Sequence, residues 1–386
     1  MPHPDSSSAL PPAITSLELF FDLVFVFAVS QLSHHLLAHT DWRGAAETLV
    51  MLVGVFGVWS YTSFEVTLTH KRHTHLAPMM LVVMVFGLFM NAAIVQAFDE
   101  RPFAFVAPLL AIQFGRTLLS TIPGAPTPLL RRHFTIMFAW ILASAPLWLA
   151  GAFAGPGTRL AWWGAAALID TIGTWLAHPL PGRKLHSENV PFNAEHMIER
   201  LRLFLIIALG EVVLTTGAAI AEAKPEPTTW FTGACALVIV IALWSLYFHS
   251  SDHLVSRHTD ETRNPILTAR LAMNGLFVVV GALIAIAVAN EKVIAHPHGR
   301  ADVADVGLLF GGAATYLSVQ VWYLKFVTGR LPLLRAAGVA ALVLALVGLG
   351  AAHAAPVITI ATAAAIMAAL AIAASAGKRA APASAS

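Results

Sequence analysis

The sequence predicts an all-α, polytopic membrane protein of about twelve transmembrane helices, arranged as two parallel six-helix repeats. Three observations predict it. Apolar residues make up 58% of the 386 and charged residues only 11%, with a mean hydropathy of +0.74, whereas a soluble globular chain carries about 25% charged residues. Apolar segments long enough to span a bilayer recur along the whole chain. The second half also restates polar landmarks of the first.

The segments fall at 17–38, 46–68, 76–98, 103–121, 134–154 and 159–178, then at 199–222, 229–250, 266–290, 303–327, 332–351 and 356–376. Each has about 19–25 residues, enough for a helix across a hydrocarbon core roughly 30 Å thick. Pro and Gly punctuate the gaps, as in Pro123-Gly124-Ala125-Pro126 and Pro179-Leu180-Pro181-Gly182. The last segment is rich in Ala, a composition suited to close helix packing. Residues 1–15 and 377–386 read as disordered tails, and 1–15 lack the basic stretch of a secretory signal. They flank a first half at 16–194 and a second at 195–376.

Basic residues set the orientation. With twelve spans and a cytoplasmic N-terminus, fifteen of the 23 Lys and Arg face the cytoplasm and six face outward, while Arg116 and Arg270 stay within spans. The bias places both termini in the cytoplasm of a multi-pass cell-membrane protein. The repeat is visible where Trp59-Ser60-Tyr61 ends the second span and Trp244-Ser245-Leu246-Tyr247 ends the eighth. Glu18 opens the first span as Glu199 opens the seventh. Six helices return a chain to its starting side, so the halves would be parallel repeats, a transporter architecture.

Polar residues inside the spans carry the candidate chemistry. Glu18 and Asp22 are four apart and share one helix face, and Glu65, Arg116 and Arg270 lie at similar depth. These five could form one buried network or line a wet cytoplasmic vestibule; alternatively they are ion pairs that fix helix packing. Glu211 and Asp170 lie near midspan. A carboxylate there costs at least ~3 kcal/mol unless paired, solvated or protonated. Arg200, Phe204, Ile207, Glu211 and Thr215 form one stripe, with Arg202 pointing the opposite way. Arg200 stands too far along the helix axis, about 16 Å, to pair with Glu211.

Other groups read more plainly. The histidines at 70–75, with those at His249 and His253, suit loops better than a metal centre, since Lys71 and Arg72 repel a cation. His34 and His35 read as interfacial, and Trp140, Trp148, Trp162 and Trp163 as interface anchors or lipid-facing bulk. Cys235 reads as an inert packed thiol. No GxSxG, HExxH, P-loop or dinucleotide motif occurs, so neither a cofactor nor an enzyme is the leading expectation. A net charge of +2 predicts no nucleic-acid partner. The expected partners are the lipid bilayer and a small-molecule or ion substrate.

The run Glu18-Leu19-Phe20-Phe21-Asp22-Leu23-Val24-Phe25-Val26, followed by Gln31-Leu32 and His34-His35, resembles the signature of the bacterial low temperature requirement protein A (LtrA) family. Glu199-Arg200 through Leu209-Gly210-Glu211 is similar to that family's second motif, and Trp244 through Phe248 to its third. The second span departs from the pattern, with Phe64-Glu65 where the family commonly carries Asn and Asp. The resemblance implies a multispanning membrane protein connected with growth in the cold. Three functions are compatible with these residues: an ion- or proton-coupled transporter using buried carboxylates, a structural or sensory membrane protein, and an intramembrane lipid-modifying enzyme.

Overall fold

A computed structural model describes residues 14–69, 76–121, 128–178, 192–249 and 264–380. Twelve long helices fill these residues, in the order and near the bounds the hydropathy predicts. The first six are α1 (Ser16–Ala38), α2 (Trp42–Thr69), α3 (Leu76–Ala92), α4 (Pro102–Thr121), α5 (Pro128–Phe153) and α6 (Pro156–Trp175). The second six are α7 (Ala194–Glu222), α8 (Pro227–Trp244), α9 (Pro265–Ala295), α10 (303–328), α11 (Leu333–Ala351) and α12 (Pro356–Ala380). Eight of the twelve, α1, α2, α5, α7, α8, α9, α11 and α12, are long and apolar enough to cross a membrane, and Ala77–Ala92 and Pro102–Leu118 are shorter apolar helices.

Local chemistry explains where the helices begin. Thr15 caps α1, its hydroxyl accepting from the Glu18 amide while the Glu18 carboxylate accepts from the Thr15 amide. Asn193 caps α7 and Asn264 caps α9, each through its side-chain oxygen alone. Pro156, Pro227 and Pro265 occupy first-turn positions where no amide is needed. Two single π turns interrupt the regular ladder. One, Ser245–His249, ends α8 at the Trp-Ser-Leu-Tyr landmark; the other, Gly307–Gly311, lies within α10.

The packing order is the same in both halves. α1 packs on α2 and α3, α3 on α4, α4 on α5, α5 on α6, and α6 returns to α2. α7 likewise packs on α8 and α9, α9 on α10, α10 on α11, α11 on α12, and α12 returns to α8. The halves meet chiefly where α1 lies against α7 and α9. Phe21, Phe25, Leu205, Leu283 and Phe310 are among the core side chains withdrawn from the surface, while Phe20, Leu23, Leu81 and Leu214 face outward, as lipid contact requires.

Two readings of the sequence need correction. Trp148 and Trp163 are fully buried rather than lipid-facing, because each indole N–H has an internal acceptor: Trp148 donates to Asp170 and Trp163 to the Trp148 carbonyl. Trp162 does face outward. His35 is also buried, 3.2 Å from Glu47, which in turn holds Arg43 at 2.8 Å; only its neighbour His34 is exposed. The thiol of Cys235 is free and buried. The 70–75 histidine group, Asp252 and His253, and most of both tails lie outside the described residues.

Candidate functional site

The helix α1 presents Glu18 and Asp22 to α7, and α7 answers with His196 and Arg200, again four residues apart. The Arg200 guanidinium sits 3.0 Å from Asp22 Oδ1 and 3.6 Å from Glu18 Oε1. His196 Nε2 lies 2.9 Å from the same Glu18 oxygen, and the Thr15 amide and hydroxyl hold the other, each at 2.9 Å. From α2 the Trp59 indole donates to Asp22 Oδ1 at 2.8 Å. Arg200 also lies over the Phe21 ring, 5.3 Å from its centroid.

Exposure of Asp22, Arg200 and Trp59 is 0%, and that of Glu18 is 1%. The adjoining void between Phe25, Trp59 and Phe204 measures about 10 Å³, at the lower limit for a single water. The joint is therefore dry on that side. Among the described residues, two carboxylates face one guanidinium and one imidazole, so protonation of the imidazole or of one carboxyl would balance the charges. Asp22 Oδ2 accepts no hydrogen bond from any described residue, which leaves a buried acceptor open.

A second polar group occupies the end of α2. Arg116 on α4 reaches Glu65 at 2.8 Å and lies 5.3 Å from the Tyr61 ring centroid. The Tyr61 hydroxyl is hydrogen-bonded to Thr174 Oγ1 at 2.7 Å and to His178 Nε2 at 3.0 Å. Thr174 in turn donates to the Asp170 carbonyl, and the Asp170 carboxylate accepts from Trp148 at 2.9 Å. The residues expected in a single network thus form two. Glu18 and Asp22 pair with Arg200, whereas Glu65 pairs with Arg116. Arg270, half-buried on α9, pairs with no described carboxylate, and its Nε is buried without a partner. Glu211 lies half-buried on α7, eleven residues beyond Arg200 and with no described partner.

Sequence reading assigns no site role to His196 or His178, marks Trp59 and Tyr61 only as landmarks of the repeat, and takes Trp148 as an interface anchor or lipid-facing bulk. For His196 a signal existed, since it lies one turn before Arg200 on the same stripe. For Trp59 and Trp148 none did, because an indole in an apolar run looks alike whether it meets lipid or a carboxylate.

Fold and site together define a multi-pass helical membrane protein whose interior is joined by buried ion pairs. The sequence model of the bacterial low temperature requirement A protein (LtrA) family matches residues 13–372. The chain belongs to that family. It is also 30% identical over 320 residues to a protein of Rhizobium meliloti (strain 1021) described as uncharacterized protein RA0937, an alignment covering 81% of this chain and 77% of that one.

Proposed function

We propose that this LtrA-family protein is a proton- or ion-coupled small-molecule transporter of the cell membrane, associated with growth at low temperature as its family description implies. In this reading the twelve helices are twelve spans in two parallel repeats, 16–194 and 195–376, flanked by the tails 1–15 and 377–386, with both termini cytoplasmic. The shared packing order of α1–α6 and α7–α12 supports the repeat. Glu18, Asp22 and Arg200 form the coupling set, and Glu65, Arg116, Arg270, Asp170 and Glu211 belong to the proton, ion or substrate path.

One observation carries the proposal. At the meeting of the halves, a fully buried group holds two carboxylates against one guanidinium and a titratable imidazole. Such a group must carry a proton or a cation to stay neutral, and gaining or losing that ion changes how strongly α1 holds α7. The test is proton entry into vesicles that contain the purified protein and a trapped pH dye, under an inward proton gradient. Addition of organic solutes in turn should yield at least one that drives proton entry, and Asp22→Asn should abolish the effect. Flux equal to that of protein-free vesicles across the whole solute series would reject the transporter reading.

One observation favours a structural role instead: on the side of Phe25, Trp59 and Phe204 the joint adjoins a void no wider than a water. A purely structural joint would show no solute-driven flux, and its carboxyl variants would lose stability alone.

A further inference from the structure

The end of the molecule where α2 and α6 finish and α5 and α9 begin encloses a cavity of about 90 Å³, room for on the order of six to nine waters. Its polar wall is basic. Arg270 enters from α9, His133 from α5, His178 from the end of α6, and Tyr61 from α2. The imidazole centroids of His133 and His178 are 6.3 Å apart. Glu65 also lines the cavity, but its carboxylate is engaged by Arg116 at 2.8 Å. That pair cancels, and among the described residues no carboxylate pairs with the guanidinium of Arg270.

Arginine cannot shed its proton to escape this position. A guanidinium in apolar surroundings takes a counter-ion, and its planar fork matches a carboxylate in bidentate fashion. The chain supplies none among the described residues. Apart from Thr174, whose hydroxyl is engaged by Tyr61 and the Asp170 carbonyl, the rest of the lining, including Phe64, Phe134, Met137, Ile266 and Met273, is apolar. Such walls suit a hydrocarbon body and give no donors for a strongly hydrated inorganic anion.

The geometry points to a binding site for a small organic monocarboxylate, held by the Arg270 guanidinium with the Phe134–Met137 face around its apolar body. The Tyr61 hydroxyl is engaged by Thr174 and His178, and Tyr61 borders the site through its ring. The bound carboxylate supplies the charge that Arg270 lacks. The site is separate from the α1–α7 joint. It deepens the transporter reading by giving Arg270, a member of the proposed proton, ion or substrate path, a carboxylate ligand, and equilibrium binding tests it apart from any flux.

Calorimetric titration of the purified full-length protein in detergent with benzoate, benzamide and inorganic phosphate tests the assignment. Benzoate should bind saturably at one site per chain, while benzamide, its neutral analogue, should not. Arg270→Gln should weaken benzoate about tenfold or more, Arg270→Lys less, and Arg330→Gln, an exposed cation, not at all. Arg270→Lys keeps a cation and serves as the second variant should Arg270→Gln fail to fold; it should weaken benzoate several-fold, because an ammonium cannot hold a carboxylate in bidentate fashion. Benzoate affinity unchanged in folded Arg270→Gln, or in Arg270→Lys where Arg270→Gln does not fold, overturns the site. Phosphate binding as tightly as benzoate and lost in the same variants overturns the carboxylate assignment.

Discussion

Replacing Arg200 with Met removes the guanidinium from two carboxylates at 3.0 and 3.6 Å while nearly preserving volume. Breaking a fully buried pair by deleting one partner costs about 3–5 kcal/mol. A second route gives a similar figure. The orphaned Asp22 can neutralise itself by taking up a proton; from an ordinary carboxyl pKa near 3.9, that costs about 4 kcal/mol at about pH 7. At about 2 °C per kcal/mol for a chain of this size, the melting temperature should fall by on the order of 8 °C. The protein contains its own reporter, because Cys235 is the single cysteine and is only 9% exposed. A fluorogenic thiol reagent will therefore read unfolding in detergent.

Two further arms make the reasoning specific. Adding Asp22→Asn keeps an acceptor for the Trp59 indole and removes the orphan charge, so the double variant should recover half or more of the lost stability. Lowering the pH to about 5 should shrink the deficit of Arg200→Met by up to ~2.7 kcal/mol, because protonating the orphan becomes cheaper by ~1.36 kcal/mol per unit. The sign is fixed: acid rescues the single variant towards wild type. An Arg200→Met protein that melts within about 2 °C of wild type, or a double variant that loses the sum of both singles, refutes the joint.

Three more outcomes can be checked. Glu211→Gln should fold and insert normally yet fail to complement growth in the cold if Glu211 couples transport; a silent Gln beside a destabilised Glu211→Ala would mark a structural carboxyl. Trp148→Phe removes the indole that reaches Asp170 at 2.9 Å and should cost about 1–3 kcal/mol in the same thiol assay, whereas unchanged melting would mean that water replaces it. Reporter fusions after Ala376 and within 292–300 should label opposite sides of the membrane, and labelling on one side contradicts the twelve-span topology.

Much of the fold was legible because the bilayer imposes it. A hydrocarbon core demands uninterrupted apolar helices of about 20 residues, so the segment beginning at Leu17 and the one ending at Ala351 announced themselves by length and hydropathy alone. The pairing of buried charges was not legible. Arg200 lies 178 residues from Asp22, and no local pattern says which arginine meets which acid when Arg116 and Arg270 sit at similar depth. The same limit applies to Trp148 and Trp163, whose burial follows from α5 packing on α6. Glu211 was legible as an acid in an apolar run, but its lack of a described partner appears only once α7 is docked.

The polarity of the α1–α7 joint has a chemical cause. Glu199, which the proposed repeat would match to Glu18, is exposed and pairs with Arg202 at 2.9 Å on its own helix. Acids therefore come from α1 and bases from α7, an arrangement that an exact repeat would forbid, since like would then meet like. Attraction alone does not choose this direction over its reverse. Trp59 does, because an indole N–H only donates and so requires a carboxylate, not a guanidinium, at position 22. An Asp22→Arg, Arg200→Asp exchange keeps the pair but sets that N–H against a cation, leaving a buried donor unmet at about 1–3 kcal/mol. The exchanged protein should melt below wild type, and adding Trp59→Phe, which removes the donor, should bring part of that loss back. If the exchange alone is as stable as wild type, Trp59 does not set the polarity, and the asymmetry of the two halves has no chemical origin at this joint.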